Sequence, residues 1–450
     1  MNLHRMLGRR AEEGNPVGVG LIGAGKFGTM FLTQARLTTG LHITGIADLD
    51  VGRAQASCAL AGWPEEQFTV GDVGTAENRG PTVIGDDARA LIANPAVEVI
   101  IDATGHPSAG IAHCLKAIDH GKHVVMVNVE ADVVAGPLLA RKAEAAGVVY
   151  SLAWGDQPAL ISEHVDWARS CGFKVVCAGK GTRYLPHYHG LTPETVWDIL
   201  KQYLQVDENS DINPKMFNSF LDGTKSGIEM SAVCNATGLK PQADGLMFPP
   251  ASRFELADIC KPEASGGKLS ADGTTECVSS MYRDGSDVPH NLVMGTFVVI
   301  EGETDYAQEC FRQYHMLQDK SGQFAALYRP IHMIGLELGI SVASAALRGE
   351  PTGSPICFNS DVVATAKRPL KAGEILDGEG GYMVWGKQMP AATSLQLGGL
   401  PLGLAQGVKV KRDITEGARL TWTDVEIDEA DHAVQIRREM EAAFGGSERL

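Results

Sequence analysis

The stretch "VGVGLIGAGKFGTMFLTQA" constrains this chain more than any other: an apolar, glycine-interrupted strand enters Gly23-x-Gly25-x-x-Gly28 and leaves as a helical pattern. A lone GxGxxG is weak, but a second strand, "HITGIAD", follows and ends in Asp48, twenty residues beyond Gly28. Gly23 then permits a tight turn, Gly25 lets backbone approach a pyrophosphate, and Gly28 lets the helix pack on the sheet. The helix start, Lys26 and Phe27 included, offers N–H donors and a partial positive charge to the phosphates. A carboxylate at Asp48 can hold the ribose hydroxyls of NAD and repels a 2′-phosphate, whereas Arg53, five residues on, can turn toward one.

The pattern continues as βαβ units. "VEVIIDATG" (97–105), "KHVVMVNVEAD" (122–132) and "GVVYSLAWGDQPA" (147–159) read as strands of one doubly wound parallel sheet. Ligands of open α/β sheets lie at the carboxyl ends of the strands. Thr104, Gly105, His106, Asn128 and Glu130 fall there and are candidates for the nicotinamide end of a dinucleotide. His106 reads equally well as a residue that starts the next helix.

At 450 residues the chain exceeds one simple core, and the expected division is 1–156, 157–357 and 358–450. Hydrophobic content of 44% and charged content of 21% are those of a soluble globular protein, and the apolar runs are far short of a membrane span. The opening "MNLHRMLGRRAEEG" has basic charge but no apolar secretion core, so the expected location is the cytoplasm. Nine scattered cysteines without a CxxC fit thiols in a reducing compartment. A formal net charge of −16 argues against nucleic acid or an anionic membrane as partner. A small anion would need a local basic cluster.

Beyond residue 156 the pattern becomes α+β. "FKVVCAGKGTRYLPHYHG" reads as a strand and loop carrying Lys180, Thr182 and Arg183. The run 211–239, "DINPKMFNSFLDGTKSGIEMSAVCNATGL", reads as one long helix with Pro214 in its first turn. One face would carry Lys215, Asn218, Asp222, Lys225, Ser226 and Glu229, and the opposite face Phe217, Phe220, Leu221 and Ile228. That charged face is either a wet surface or the wall of a site. Lys180, Arg183, Lys215 and Lys225 gather around two adjacent elements, which suits a phosphate or carboxylate; scattered surface cations suit the spacing as well. "GTFVVIEGETD" reads as a strand, and the apolar run through 331–350 as a core helix packing back on the first domain.

Past residue 358 the helical pattern ends. "AKRPLKAGEIL" (366–376) and "VKRDITEGARL" (410–420) match at Lys-Arg, Leu/Ile, Gly and Leu with a constant offset of 44 residues. Two half-repeats imply a small β-rich domain for docking or oligomerisation.

With these elements in place, the chain resembles the homoserine-dehydrogenase-like oxidoreductases, and more closely the branch called 1-deoxy-D-xylulose 5-phosphate (DXP) reductoisomerase-like, or DRL. The resemblance is carried by "GLIGAGKFG", "DATGHPSAG", "VNVEADVVAGP", "WGDQPAL", "GKGTRYLP", "NPKMFNSFLDGTKSGIEM" and "RPIHMIGLELGISVASAALRGEPTG". The tail resembles the SAF module of sialic-acid synthases and antifreeze proteins. The resemblance implies a Rossmann domain, a middle domain for substrate and dimer contact, and a C-terminal SAF-like domain. It further implies that Asp222 and Lys225 serve substrate binding and proton transfer, although their spacing of three differs from the four of the homoserine enzymes.

For the DRL branch it implies conversion of DXP to 2-C-methyl-D-erythritol 4-phosphate, a step toward isoprenoid precursors, with NADPH (NAD being the alternative) and Mg or Mn. Asp222 and Glu229 are then the first metal-ligand candidates, and Lys180, Thr182, Arg183, Asn213, Lys215 and Asn218 those for the phosphorylated sugar. The implied assembly is a homodimer with no nucleic acid or membrane partner. The rival enzyme is a metal-free homoserine-dehydrogenase-type reductase of another small aldehyde. The rival outside the enzymes is an NAD(P)-binding sensor or scaffold that signals through its tail.

Overall fold

The computed structural model describes residues 2–203 and 213–445. Contacts divide the chain into two units: the described residues up to Leu160 with His332–Ile356, and Ile161–Ile331 with the described residues from Cys357 on. The last five positions of the tail, 446–450, and positions 211–212 of the predicted long helix lie outside the described residues.

The first unit is a Rossmann fold. Strands β1 (Val17–Ile22), β2 (Leu41–Ala47), β3 (Phe68–Val70), β4 (Thr82–Gly85), β5 (Val99–Asp102), β6 (His123–Met126) and β7 (Tyr150–Leu152) form one sheet in the order β3-β4-β2-β1-β5-β6-β7. Every pairing is parallel. Parallel sheets covered on both faces need continuous apolar strands, and all residues of β1, β5 and β7 are buried. Leu338, Val342 and Ala343 join the core beneath β1 and β5. The helix holding Val342 and Ala343 is Gly339–Arg348. It is shorter than the run read through 331–350, because residues 334–338 form turns with Gly335 at φ +77. Likewise β6 stops at Met126, and Asn128 caps the helix Val129–Ala145 by accepting from Ala131 N at 3.1 Å. Glu130 is therefore in a first helical turn rather than at a strand end.

In the second unit, β8 (Lys174–Thr182), β9 (Thr274–Ser279), β10 (Thr296–Glu301), β11 (Leu317–Gln318) and β12 (Phe324–Arg329) form a mixed sheet, β11-β12-β10-β8-β9. Only β8 and β9 run parallel in it. One face buries Ile161, Val165, Met230 and Val233, the other Leu256, Leu269 and Leu292.

The last described residues build β13 (Ser360–Ala366) antiparallel to β14 (Val384–Pro390) and β15 (Lys409–Val410) antiparallel to β16 (Val425–Glu426). The two half-repeats pair with each other. Leu370 and Ile414, equivalent across the 44-residue offset, exchange both backbone hydrogen bonds at 2.9 Å, with bridges Thr365–Arg419 and Ile375–Lys409 on either side. Each repeat thus meets its copy about a local two-fold. Arg437, fully buried on the helix His432–Phe444, holds Asp361 of β13 through two nitrogens at 2.6 and 3.1 Å.

Candidate functional site

Gly23 adopts φ +94, and a side chain there would meet the Ala103 carbonyl at 2.7 Å. The Gly28 Cα faces the Gly23 carbonyl so closely that a Cβ would approach it to 2.5 Å. Gly25, the N-cap of the helix Lys26–Ala35, has no atom within 4 Å of a built Cβ. The turn is therefore closed where helix meets strand and open where a pyrophosphate would lie. Lys26 is exposed at the helix start, while Phe27 packs against the core.

Asp48 is 2% exposed and turned inward. Its Oδ2 accepts from Ala24 N at 2.7 Å; its Oδ1 accepts from Asp50 N at 2.9 Å and lies 2.6 Å from the Arg53 guanidinium. Both oxygens serve the loop itself, so Asp48 does not present the free carboxylate expected for ribose. The Arg53 side chain is 55% exposed.

At the end of β5, Thr104 Oγ1 donates to Asp102 Oδ1 at 2.9 Å, and Asn128 Nδ2 donates to Thr104 Oγ1 at 3.2 Å and to the His106 carbonyl at 3.0 Å. Thr104 and Asn128 are thus brought together beside Gly105, which has φ +64. His106 is the N-cap of the helix Pro107–Asp119, accepting from Ala109 N at 3.4 Å. Below this rim Asp132 is fully buried against Tyr150 Oη at 2.7 Å, and burial pushes its carboxyl up to about 7.

In the second unit the predicted long helix is two. Pro214–Leu221 ends at Asp222, Gly223 turns the chain with φ +90, and Thr224–Thr237 starts afresh. The single charged face therefore does not exist. From Leu221 to Asn235 every residue is buried except Lys225, which is partly exposed. The two buried carboxylates survive through cations distant in sequence. Glu229 pairs with Lys180 of β8, both nearly inaccessible. Asp222 lies 2.7 Å from Lys367 Nζ and also accepts from Thr224 N at 2.9 Å. His189 Nδ1 donates to the Asp222 carbonyl at 2.6 Å and its Nε2 accepts from Tyr184 Oη at 2.9 Å. Its ring stacks on Trp385 at 3.8 Å, and burial lowers its basicity.

Of the remaining sugar candidates, Asn213 is the N-cap of Pro214–Leu221, and Asn218 Nδ2 donates to the carbonyls of Leu191 at 3.0 Å and Gly380 at 2.9 Å. Lys215 donates to the Asp377 carbonyl at 3.2 Å, and Arg183 lies 2.9 Å from the exposed Asp287. Thr182 is buried at the end of β8. Asp222 and Glu229 are each neutralised by a lysine, which does not fit a divalent metal centre built on them. Among the described residues no group of three or more His, Cys, Asp or Glu is placed to hold a metal ion, and no helix is long and apolar enough to cross a membrane.

Lys367, His189 and Trp385 were not singled out from sequence. The one available signal for Lys367 was its place at the head of a half-repeat, and its copy Lys411 is exposed whereas Lys367 is buried.

Residues 18–152 match the NAD-binding domain of homoserine dehydrogenase, and residues 155–338 match the catalytic domain of oxidoreductase DRL. No curated protein matches the chain. Similar solved structures include dihydrodipicolinate reductase from Paenisporosarcina sp. TG-14, 12% identical over 75% of this chain and 97% of that one, with a TM-score of 0.35. An oxidoreductase domain protein from Kribbella flavida is 14% identical over 64% of this chain and 72% of that one, TM-score 0.36. Myo-inositol dehydrogenase from Lactobacillus casei is 17% identical over 40% and 50%, TM-score 0.28. By its two matched domains, the chain is an oxidoreductase with a homoserine dehydrogenase-type NAD-binding domain and a DRL catalytic domain.

Proposed function

We propose that this oxidoreductase converts DXP to 2-C-methyl-D-erythritol 4-phosphate with NADPH. The observation that carries the reading is Lys225: it is the one residue of 221–235 that is not buried, and it lies within the DRL catalytic-domain match. A stretch sealed everywhere except at a lysine suits a group that meets a ligand better than a wet face does.

NADPH, when bound, supplies the hydride that reduces the aldehyde formed by rearrangement of the carbon skeleton. Lys225 donates the proton to the aldehyde oxygen, or holds its developing charge. Arg183 serves the phosphate, since its partner Asp287 is 68% exposed and such a pair gives way to a dianion at little cost. Lys180 is committed to Glu229 and does not share that task. Arg53, more than half exposed and held 2.6 Å from Asp48, supports NADPH over NADH. No step is assigned to a metal ion on Asp222 or Glu229.

Those lysine-paired carboxylates favour one second reading, a metal-free homoserine-dehydrogenase-type reduction of another small aldehyde. NADPH absorbance with DXP, with and without a chelator, separates the two. Oxidation with DXP supports the first, and oxidation only with an unphosphorylated aldehyde supports the second.

A further inference from the structure

The ammonium of Lys367 donates to the Leu191 carbonyl at 2.7 Å and the Gly381 carbonyl at 2.8 Å, and forms an ion pair with Asp222 Oδ2 at 2.7 Å. Its side chain is 2% exposed and that of Asp222 is 0%. Asn218 Nδ2 bonds the same Leu191 carbonyl and the neighbouring Gly380 carbonyl, tying the same loops together. Gly380, at φ +64, lies so close to the Lys215 carbonyl that a Cβ would stand 1.9 Å from it. One buried charge therefore joins the 191 loop, the end of the helix Pro214–Leu221, the Asp222–Gly223 turn and the 380–381 loop.

A buried ammonium is costly unless its geometry is complete, and the repeat copy Lys411 avoids that cost by staying in water. Burial here is thus particular to Lys367. Two further bonds converge on the same corner. Gly386 N donates to Thr224 Oγ1 at 2.8 Å, and Asp222 caps Thr224 N from the residue before the turn. Lys225 is the next residue along.

We propose that Lys367 is a positioning residue of the candidate site. It acts as a tethered monovalent cation that fixes the Asp222–Gly223 corner and, through it, the first turn bearing Lys225. Residues beyond the DRL catalytic-domain match, which ends at 338, then complete the site. The inference rests on the reading that Lys225 meets substrate.

The test uses the full chain with Lys367→Met and Lys367→Ala. Folded Lys367→Met is expected to lose about tenfold or more in kcat while the KM for NADPH stays within about twofold, because the cation acts on the corner and not on the dinucleotide loop. Methylammonium chloride is expected to restore part of the kcat and Tm of Lys367→Ala, and an equal concentration of sodium chloride is not. A merely structural lysine would change Tm without a kcat loss per folded molecule, and that result overturns the proposal, as does absence of methylammonium rescue. If the single variants do not fold, Lys367→Met combined with Asp222→Asn removes the stranded charge. Full kcat in that folded double variant also overturns it. Failure of the wild-type chain to reduce DXP would overturn the proposed function alone. The inference would then be decided by whether methylammonium raises the Tm of Lys367→Ala and not that of wild type.

Discussion

The Arg53 guanidinium lies 2.6 Å from Asp48 Oδ1 at the carboxyl end of β2, and Asp48 Oδ2 is spent on the Ala24 amide. The acid therefore holds the loop and the base faces water. A charge-assisted contact to a 2′-phosphate contributes about 1.5–3 kcal/mol. Arg53→Ala is expected to lower the NADPH-to-NADH ratio of kcat/KM by about tenfold or more. Asp48→Ala is expected to weaken both cofactors by disordering the loop. An unchanged ratio in the Arg53 variant would show that the guanidinium points away from the ribose.

The three glycines of the loop are expected to respond differently. Gly25→Ala meets no atom within 4 Å, so its Tm should match wild type while NADPH affinity falls by about tenfold or more, the methyl occupying the pyrophosphate's place. Gly28→Ala collides with the Gly23 carbonyl and should lower Tm as well. Thermal melts and NADPH fluorescence titration on both variants check this; equal effects would contradict it.

Stability should fall between about pH 4 and pH 7 through two buried carboxyls. Burial pushes Asp132 and Glu276 each to about 7, from ordinary values of 3.8 and 4.5. In that window the folded chain keeps protons that the unfolded chain has released, so stability decreases as pH rises and levels off above 7. Asp132→Asn removes one such group. The Tm of the variant minus that of wild type is expected to increase from pH 5 to pH 8, and a constant difference would contradict the assignment.

What was legible in the sequence is what is local. The strand, glycine turn, helix and second strand of residues 17–48 are fixed by neighbours, and the Rossmann sheet follows from them. The helix break at Gly223 was also local, an Asp-Gly inside a helical pattern, and amphipathic reading smoothed it over. The site itself was not local. Periodicity puts Asp222, Ser226 and Glu229 on one polar face, either wet surface or site wall, yet they are buried, with Glu229 held by Lys180 and Asp222 by Lys367. Charge matching across such separations leaves no trace in spacing. The half-repeats were visible as an offset; that they pair at Leu370 and Ile414, and that β13 and β14 beside them cover the helix Thr224–Thr237, was not.

That cover leads to a further expectation. Ser231 Oγ meets Ser360 Oγ at 2.8 Å, and Asn235 Nδ2 donates to the Ser360 carbonyl at 3.1 Å. A chain ended after residue 357 exposes one flank of Thr224–Thr237 with its paired charges and is expected to be insoluble or unfolded. A soluble, cooperatively melting truncation would show that the C-terminal residues are an independent appendage.

Lys225→Met tests the central claim most directly. Methionine keeps most of the aliphatic stem, so packing changes little. A lysine on an ordinary wet face would alter stability by roughly half a kcal/mol or less and leave turnover alone. A lysine that meets charge on the substrate oxygen should, when replaced, lower kcat for NADPH-dependent DXP reduction by about a hundredfold or more, with Tm and NADPH binding intact. That loss is the predicted result; near-normal kcat would contradict the account and return the helix to a structural role.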